Sequence, residues 1–174
     1  VLKRRHELSP FFDENLEVGW FTSLLYQKLK TMYTGIKHLH SGLAYLALAA
    51  LVIVIIYALI GSLGNRKFTE RDRKFALIAF ILSHVQLLVG LILYFISPVG
   101  ISLLSAAAMK DSIARLTALE HPLINILAIV FITLGYTRAK KFETSRAKFR
   151  SIYMMYAIGL VLILSRIPWT NWLG

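Results

Sequence analysis

The chain of 174 residues contains no cysteine. That absence excludes a disulfide framework, a zinc–thiolate site, an iron–sulfur cluster and covalently attached c-type haem. Acidic side chains are also scarce: 9 Asp and Glu stand against 20 Lys and Arg, giving a formal net charge of +11. Only 17% of residues are charged and 57% are hydrophobic, whereas soluble domains run at about 25% charged and about 45–50% apolar. This balance argues against a soluble enzyme, a disordered tail and a fibrous repeat. No phosphate-binding glycine loop, zincin motif or nucleophile elbow occurs. Glu120 is the single carboxylate within the apolar segments, too little for a carboxylate proton relay, and no internal repeat of the transporter kind is visible.

What remains is a chain of long apolar runs. Four stand out, at about 41–63, 75–97, 119–137 and 152–169. Each approaches the ~20 residues that a helix needs to cross ~30 Å of hydrocarbon. A span in lipid must satisfy its own backbone, and none of these runs alternates like a barrel strand, so all four are predicted helices. The expected fold is all-α: a four-helix transmembrane bundle in contact with the lipid bilayer, spanning 38–174 and preceded by an N-terminal extension, 1–37.

The basic residues sort by position. Residues 64–74 carry Arg66, Lys67, Arg71, Arg73 and Lys74, and residues 138–150 carry Arg138, Lys140, Lys141, Arg146, Lys148 and Arg150. With four spans these two loops share one side. The other side has Lys28, Lys30, Lys37, Lys110, Arg115 and Arg166. The positive-inside rule then makes loops 64–74 and 138–150 cytoplasmic and puts both termini outside. The charge is first a topology signal. No nucleic-acid recognition motif accompanies it, so no nucleic acid is expected as a partner.

The extension differs in composition. Asp13, Glu14 and Glu17 open it, and Trp20, Leu24 and Leu25 recur at helical spacing with Lys28 and Lys30 nearby. It reads either as an interfacial amphipathic helix or as a loosely ordered arm. Met32 is a candidate alternative start. In the connection between the second and third spans, Asp111 is placed to cap a short helix, and Pro122 suits a first helical turn or else a kink. Tyr153, Trp169 and Trp172 fit interfacial positions, and Gly90, Gly135 and Gly159 fit close packing between helices.

Polar side chains within spans are costly and therefore informative. They are His40, His84, Gln86, Glu120, His121, Asn125 and Arg166, with His38 beside the first span. The topology brings His38, His40, Glu120, His121, Asn125 and Arg166 to the outer half of the bundle. His84, ten residues past Lys74, lies ~15 Å in from the inner side. Histidines on different helices suit haem iron, and a bundle core can hold a cofactor between facing helices. Axial ligands need similar depth, which favours His40 with His121; His84 paired with either stays open. Ala44 and Ala47, below His40, leave room for a flat macrocycle. Arg115 and Arg166 are candidates for haem propionates, with Asn125 one turn below His121. The bland alternative for each histidine is solvation or an interhelical hydrogen bond.

The segments 33–43 (Tyr-Thr-Gly-Ile-Lys-His-Leu-His-Ser-Gly-Leu), 84–95 (His-Val-Gln-Leu-Leu-Val-Gly-Leu-Ile-Leu-Tyr-Phe), Glu120-His121 and Ile167-Pro168-Trp169 resemble small four-span bacterial membrane proteins of the "cytochrome b" type, met in Bacteroidetes-like genomes. The plan is also similar to one half of haem A synthase. The resemblance covers about residues 32–169 and implies non-covalent haem b and membrane electron transfer, with His40, His84 and His121 as the positions carried over. Quinol, or subunits of a larger redox complex, are the expected partners. The rival expectation is an accessory or assembly subunit without haem, and a third is a quinone-binding protein.

Overall fold

A computed structural model describes residues 14–169, with side chains from residue 19. Asp13, His6 and Trp172 lie outside the described residues, as do the side chains of Glu14 and Glu17. Every regular element described is helical: α1 (Glu14–Leu63), α2 (Glu70–Ile96), two short 3-10 turns (Ile101–Leu103 and Ala108–Lys110), α3 (Ser112–Arg115), a π-turn (Leu116–Glu120), α4 (His121–Lys141) and α5 (Ser145–Ser165). Four of these stretches are long and apolar enough to cross a membrane, so the chain has the make-up of a multi-pass membrane protein. The all-α four-helix bundle expected from the apolar runs is the observed fold.

The long helices pack as a ring in the order α1, α2, α4, α5. Their shared core lies towards the end carrying both basic loops. There Leu51, Ile132, Phe149, Ile152 and Tyr156 are fully buried. Polar cross-links tie the helices: Tyr156 Oη donates to Ala76 O at 2.9 Å, and Ser151 Oγ donates to Gly135 O at 3.0 Å. Backbone N–H of Phe68 donates to Ser145 Oγ at 2.9 Å, which joins the α1–α2 loop to the start of α5. Both basic loops thus sit at one end of the bundle.

That end is closed by Asp72, whose side chain is 1% exposed. Its carboxylate accepts from Arg66 Nη2 and from the backbone N and Oγ1 of Thr69, each at 2.6 Å. The hydrogen bond to Asp72 raises the Arg66 pKa above its ordinary value. The Arg66 guanidinium also lies 4.7 Å from the Tyr57 ring centre and 5.0 Å from that of Phe149. An acidic residue in the first turn of α2 also complements the positive end of the helix. Asp72→Ala removes an acceptor from three donors and should lower stability by about 2 kcal/mol. Unfolding in mild detergent with added denaturant checks this; an unchanged midpoint would refute it.

Helix ends differ from expectation in an instructive way. α2 starts at Glu70, α4 continues to Lys141 and α5 starts at Ser145, so most of the basic residues sit on helix ends rather than in loops. Helices can project beyond the hydrocarbon, where Lys and Arg meet headgroups. α5 stops at Ser165 because Pro168 disfavours helix in the residues before it. Tyr153, expected at the interface, is half-buried and packs on the core. The largest difference is α1. Its N-terminal part is helical and continuous with the first span: residues 14–63 form one helix of 50 residues. Between Pro10 and Pro98 the chain has no proline to interrupt it. Trp20, Phe21, Leu24 and Leu25 remain exposed along this arm.

Candidate functional site

At the opposite end the bundle does not close. A cavity of about 600 Å³ lies on its axis, lined from all four long helices. That size is in the range of small-molecule and cofactor sites. His40 of α1 and His121 of α4 both line it, with ring centres 6.4 Å apart in an edge-to-face setting at 78°. Small residues make the space: Ala44 and Ala47 on α1 and Gly90 on α2 all line it. Gly90 is required by close approach, since a Cβ there would stand 2.9 Å from His40 Cε1.

The route by which α4 presents His121 starts at Asp111. Its Oδ1 accepts from the backbone N of Ala114 at 2.7 Å and caps α3, as expected. The chain then passes through the π-turn, where backbone N of His121 bonds Leu116 O. Pro122 has no N–H to offer Ala118 O, the acceptor one turn earlier. Tyr94 Oη of α2 takes that place at 3.0 Å. A proline, a widened turn and a tyrosine from the neighbouring helix therefore set the angle of His121 together. Wide turns of this kind recur at functional sites.

The two rings differ in preparation. His121 Nδ1 lies 2.7 Å from Arg166 O. Asn125 Nδ2 also lies 3.2 Å from Nδ1, but the shorter contact is to a carbonyl, which only accepts, so it places the proton on Nδ1 and leaves Nε2 its lone pair. Asn125 Nδ2 donates to His121 O at 2.7 Å, and Asn125 lines the cavity. His40 instead turns its nitrogen edge to α2: Gln86 Nε2 lies 3.2 Å from Nδ1 and 3.5 Å from Nε2, and donates to His40 O at 2.9 Å.

The remaining expected site residues are placed elsewhere. His84 is not among the cavity-lining residues. Its Nδ1 donates to Phe80 O at 2.7 Å, its Nε2 lies 3.2 Å from Thr133 Oγ1 of α4, and its ring stacks on Phe80 with centres 3.9 Å apart. His84 thus has the interhelical contact that competes with ligation. His38 is exposed on α1 and does not line the cavity. Arg115 and Arg166 converge on one carboxylate, with Arg115 Nε 2.9 Å from Glu120 Oε1 and Arg166 Nε 3.3 Å from Glu120 Oε2. This bridge ties the end of α5 to the entry of α4, and neither arginine lines the cavity. The cation that does is Lys37, with Tyr33 one turn before it. Lys37 is visible in the sequence only as a topology charge; its place at the rim depends on α1 continuing unbroken past residue 37.

Comparisons with family models, with curated proteins and with solved structures found no match.

Haem b, implied by the resemblance, can be tested against this geometry. Two imidazoles on opposite sides of one metal have ring centres about 6 Å apart, given metal–nitrogen bonds of about 2 Å. The His40–His121 ring-centre separation of 6.4 Å is close to that value. His121 presents a lone pair without rearrangement, whereas His40 must turn from Gln86. Apolar walls, small residues beside the rings and one unpaired cation at the rim suit a flat apolar group bearing carboxylates. These residues fit the group.

Proposed function

We propose that this chain is a membrane-embedded b-type haem protein acting in electron transfer, with the axial cavity as its haem site. The observation that carries the reading is that His40 and His121, from diagonal helices, both line that cavity with ring centres 6.4 Å apart. His121 and His40 would hold the haem iron, and His84 would be a structural residue between α2 and α4. Bound there, the haem supplies a one-electron carrier inside the membrane.

The chain's own groups do the rest. The Arg166 carbonyl fixes the proton of His121 on Nδ1 and keeps Nε2 available. Gly90 lets the His40 ring approach the α2 backbone. Leu48, Leu51, Leu87 and Ile163 give it apolar walls. Lys37, which also lines it, would face anionic substituents of the bound group. The basic loops would be cytoplasmic and the cavity would open towards the outer face of a bacterial inner membrane. Quinol or a subunit of a larger redox complex would exchange electrons with the site.

The projecting part of α1 supports a second reading. Its exposed Trp20, Phe21, Leu24 and Leu25 would serve an accessory subunit without haem as a docking arm. The reduced-minus-oxidised absorbance of the purified protein in mild detergent separates the two. A sharp α-band of b type is expected. An intact helical protein without haem at any stoichiometry would overturn the first reading and leave the second.

A further inference from the structure

Among the described residues, one buried side-chain polar atom lacks a hydrogen-bond partner: Gln86 Oε1. It belongs to the amide whose Nε2 lies 3.2 Å from His40 Nδ1, on a residue that lines the cavity. Buried polar atoms are nearly always paired, so an orphan beside a candidate ligand needs an explanation.

The proton inventory of the pair supplies one. An amide N–H can pair with a ring nitrogen only when that nitrogen accepts. As placed, Gln86 Nε2 therefore suits a His40 ring with its proton on Nε2, and a ring in that form has no lone pair at Nε2 to give a metal. Ligation through Nε2 reverses the requirement. Nδ1 then carries the proton and needs an acceptor. The nearest side chain with acceptor capacity to spare is Gln86 itself, through Oε1. Turning the amide alone would set Oε1 where Nε2 now stands, 2.9 Å from His40 O, two acceptors in contact, so the amide must also draw away from that carbonyl and gives up its Nε2 contact there. That carbonyl lies inside α1, where the residue four places on already serves it. In return Oε1 gains a partner.

Metal-bound histidines commonly donate their second N–H to a carbonyl or carboxylate, which fixes the ring and raises its basicity. His121 already has such an acceptor in Arg166 O, at 2.7 Å. We propose that Gln86 is the matching positioning residue for His40: its Oε1 accepts the Nδ1 proton when His40 is an axial ligand, and so orients the ring and sets the basicity of that ligand. The inference rests on the haem reading of the cavity. It adds a role on α2 that neither the histidine pattern nor the resemblance assigns.

The test uses the full chain purified with its haem in mild detergent, comparing wild type, Gln86→Leu and Gln86→Glu. Gln86→Leu removes the acceptor and should weaken haem binding about 10–100-fold. Its midpoint potential should rise, because a less basic imidazole favours ferric iron less. Gln86→Glu keeps an acceptor, so haem should stay bound with a potential at or below that of wild type. The haem-free Gln86→Leu protein should melt close to haem-free wild type, since the change removes an unpaired buried oxygen together with the Nε2 contacts to His40. A merely structural role gives no such signed pair of potentials. If wild type carries no haem, the cavity reading fails and this inference falls with it. If wild type carries haem but Gln86→Leu leaves affinity and potential unchanged, or both variants shift the potential upwards, the Gln86 inference alone is overturned. Should Gln86→Leu not fold, the Gln86→Glu potential decides by itself: a rise above wild type overturns the proposal.

Discussion

On the proposed haem reading, replacing His121 by alanine is expected to abolish the b-type spectrum of the purified protein, and replacing His40 should do the same. The two rings sit on helices that are diagonal in the ring of four, α1 and α4, so neither can substitute for the other. Loss of an outer hydrogen-bond partner already costs a metal site about 10–100-fold in affinity; loss of a ligand itself should cost more. His121→Ala should have the larger effect. It removes the ring whose Nε2 needs no rearrangement and breaks the contact with Arg166 O that ties α5 to α4. Imidazole added to either variant should restore part of the spectrum, because the alanine leaves a void of the right shape beside the cavity. His84→Ala is the discriminating control. It should keep the spectrum and lose one interhelical hydrogen bond, about 0.6 kcal/mol in a membrane bundle. Spectra of the three variants in one detergent decide the assignment. Loss of haem in His84→Ala with retention in His40→Ala would mean that His84 is the ligand and that the axial cavity has been misread.

The contrast between His40 and His84 shows how far a sequence reaches here. Depth along a span follows from counting residues at a fixed rise, and depth alone favours His40 with His121. What counting does not provide is rotation: whether a side chain at a given depth faces the axis, a neighbour or lipid. A helix that is apolar all round leaves few polar markers from which to read its inward face. His38 and His40 illustrate the point, being two residues apart with one exposed and the other on the axis. Rotation also hides Gln86, whose importance lies in one orphaned oxygen, and Tyr94, which replaces the donor that Pro122 lacks. The arginines were legible as polar groups at the outer end. Their pairing with Glu120 was not, because it needs the π-turn to bring Arg115 and the end of α5 to the same carboxylate. The four spans themselves were legible because lipid permits little besides helix.

Gly159→Val should be the most destabilising single substitution on the α4–α5 contact, at about 3 kcal/mol. Helices in lipid gain no hydrophobic free energy by leaving it for one another, so close packing carries the association. α4 and α5 form the most extensive helix pair in the bundle, and Gly159, like Gly135 opposite, lies where they approach closely. A Cβ at this position would stand 2.8 Å from Ile132 Cγ1 and 3.1 Å from Ala128 O. Ile132 is fully buried and Ala128 O is backbone, so neither can give way freely. The valine would separate the helices and reach the cavity indirectly, because Ile129, on the same face of α4, and Ile163, one turn on from Gly159 in α5, both line it. Haem content should therefore fall together with stability, although Gly159 itself does not line the cavity. Gly42→Ala is the matched control. Nothing stands within 4 Å of a Cβ at that position in α1, and alanine has the better helix propensity, so stability should hold or rise slightly. Denaturant midpoints and haem content of both variants, measured in the same detergent, check the pair. Equal stability in Gly159→Val and wild type would mean that α4 and α5 do not meet where the structure places them, and the axial cavity would then have to be redrawn.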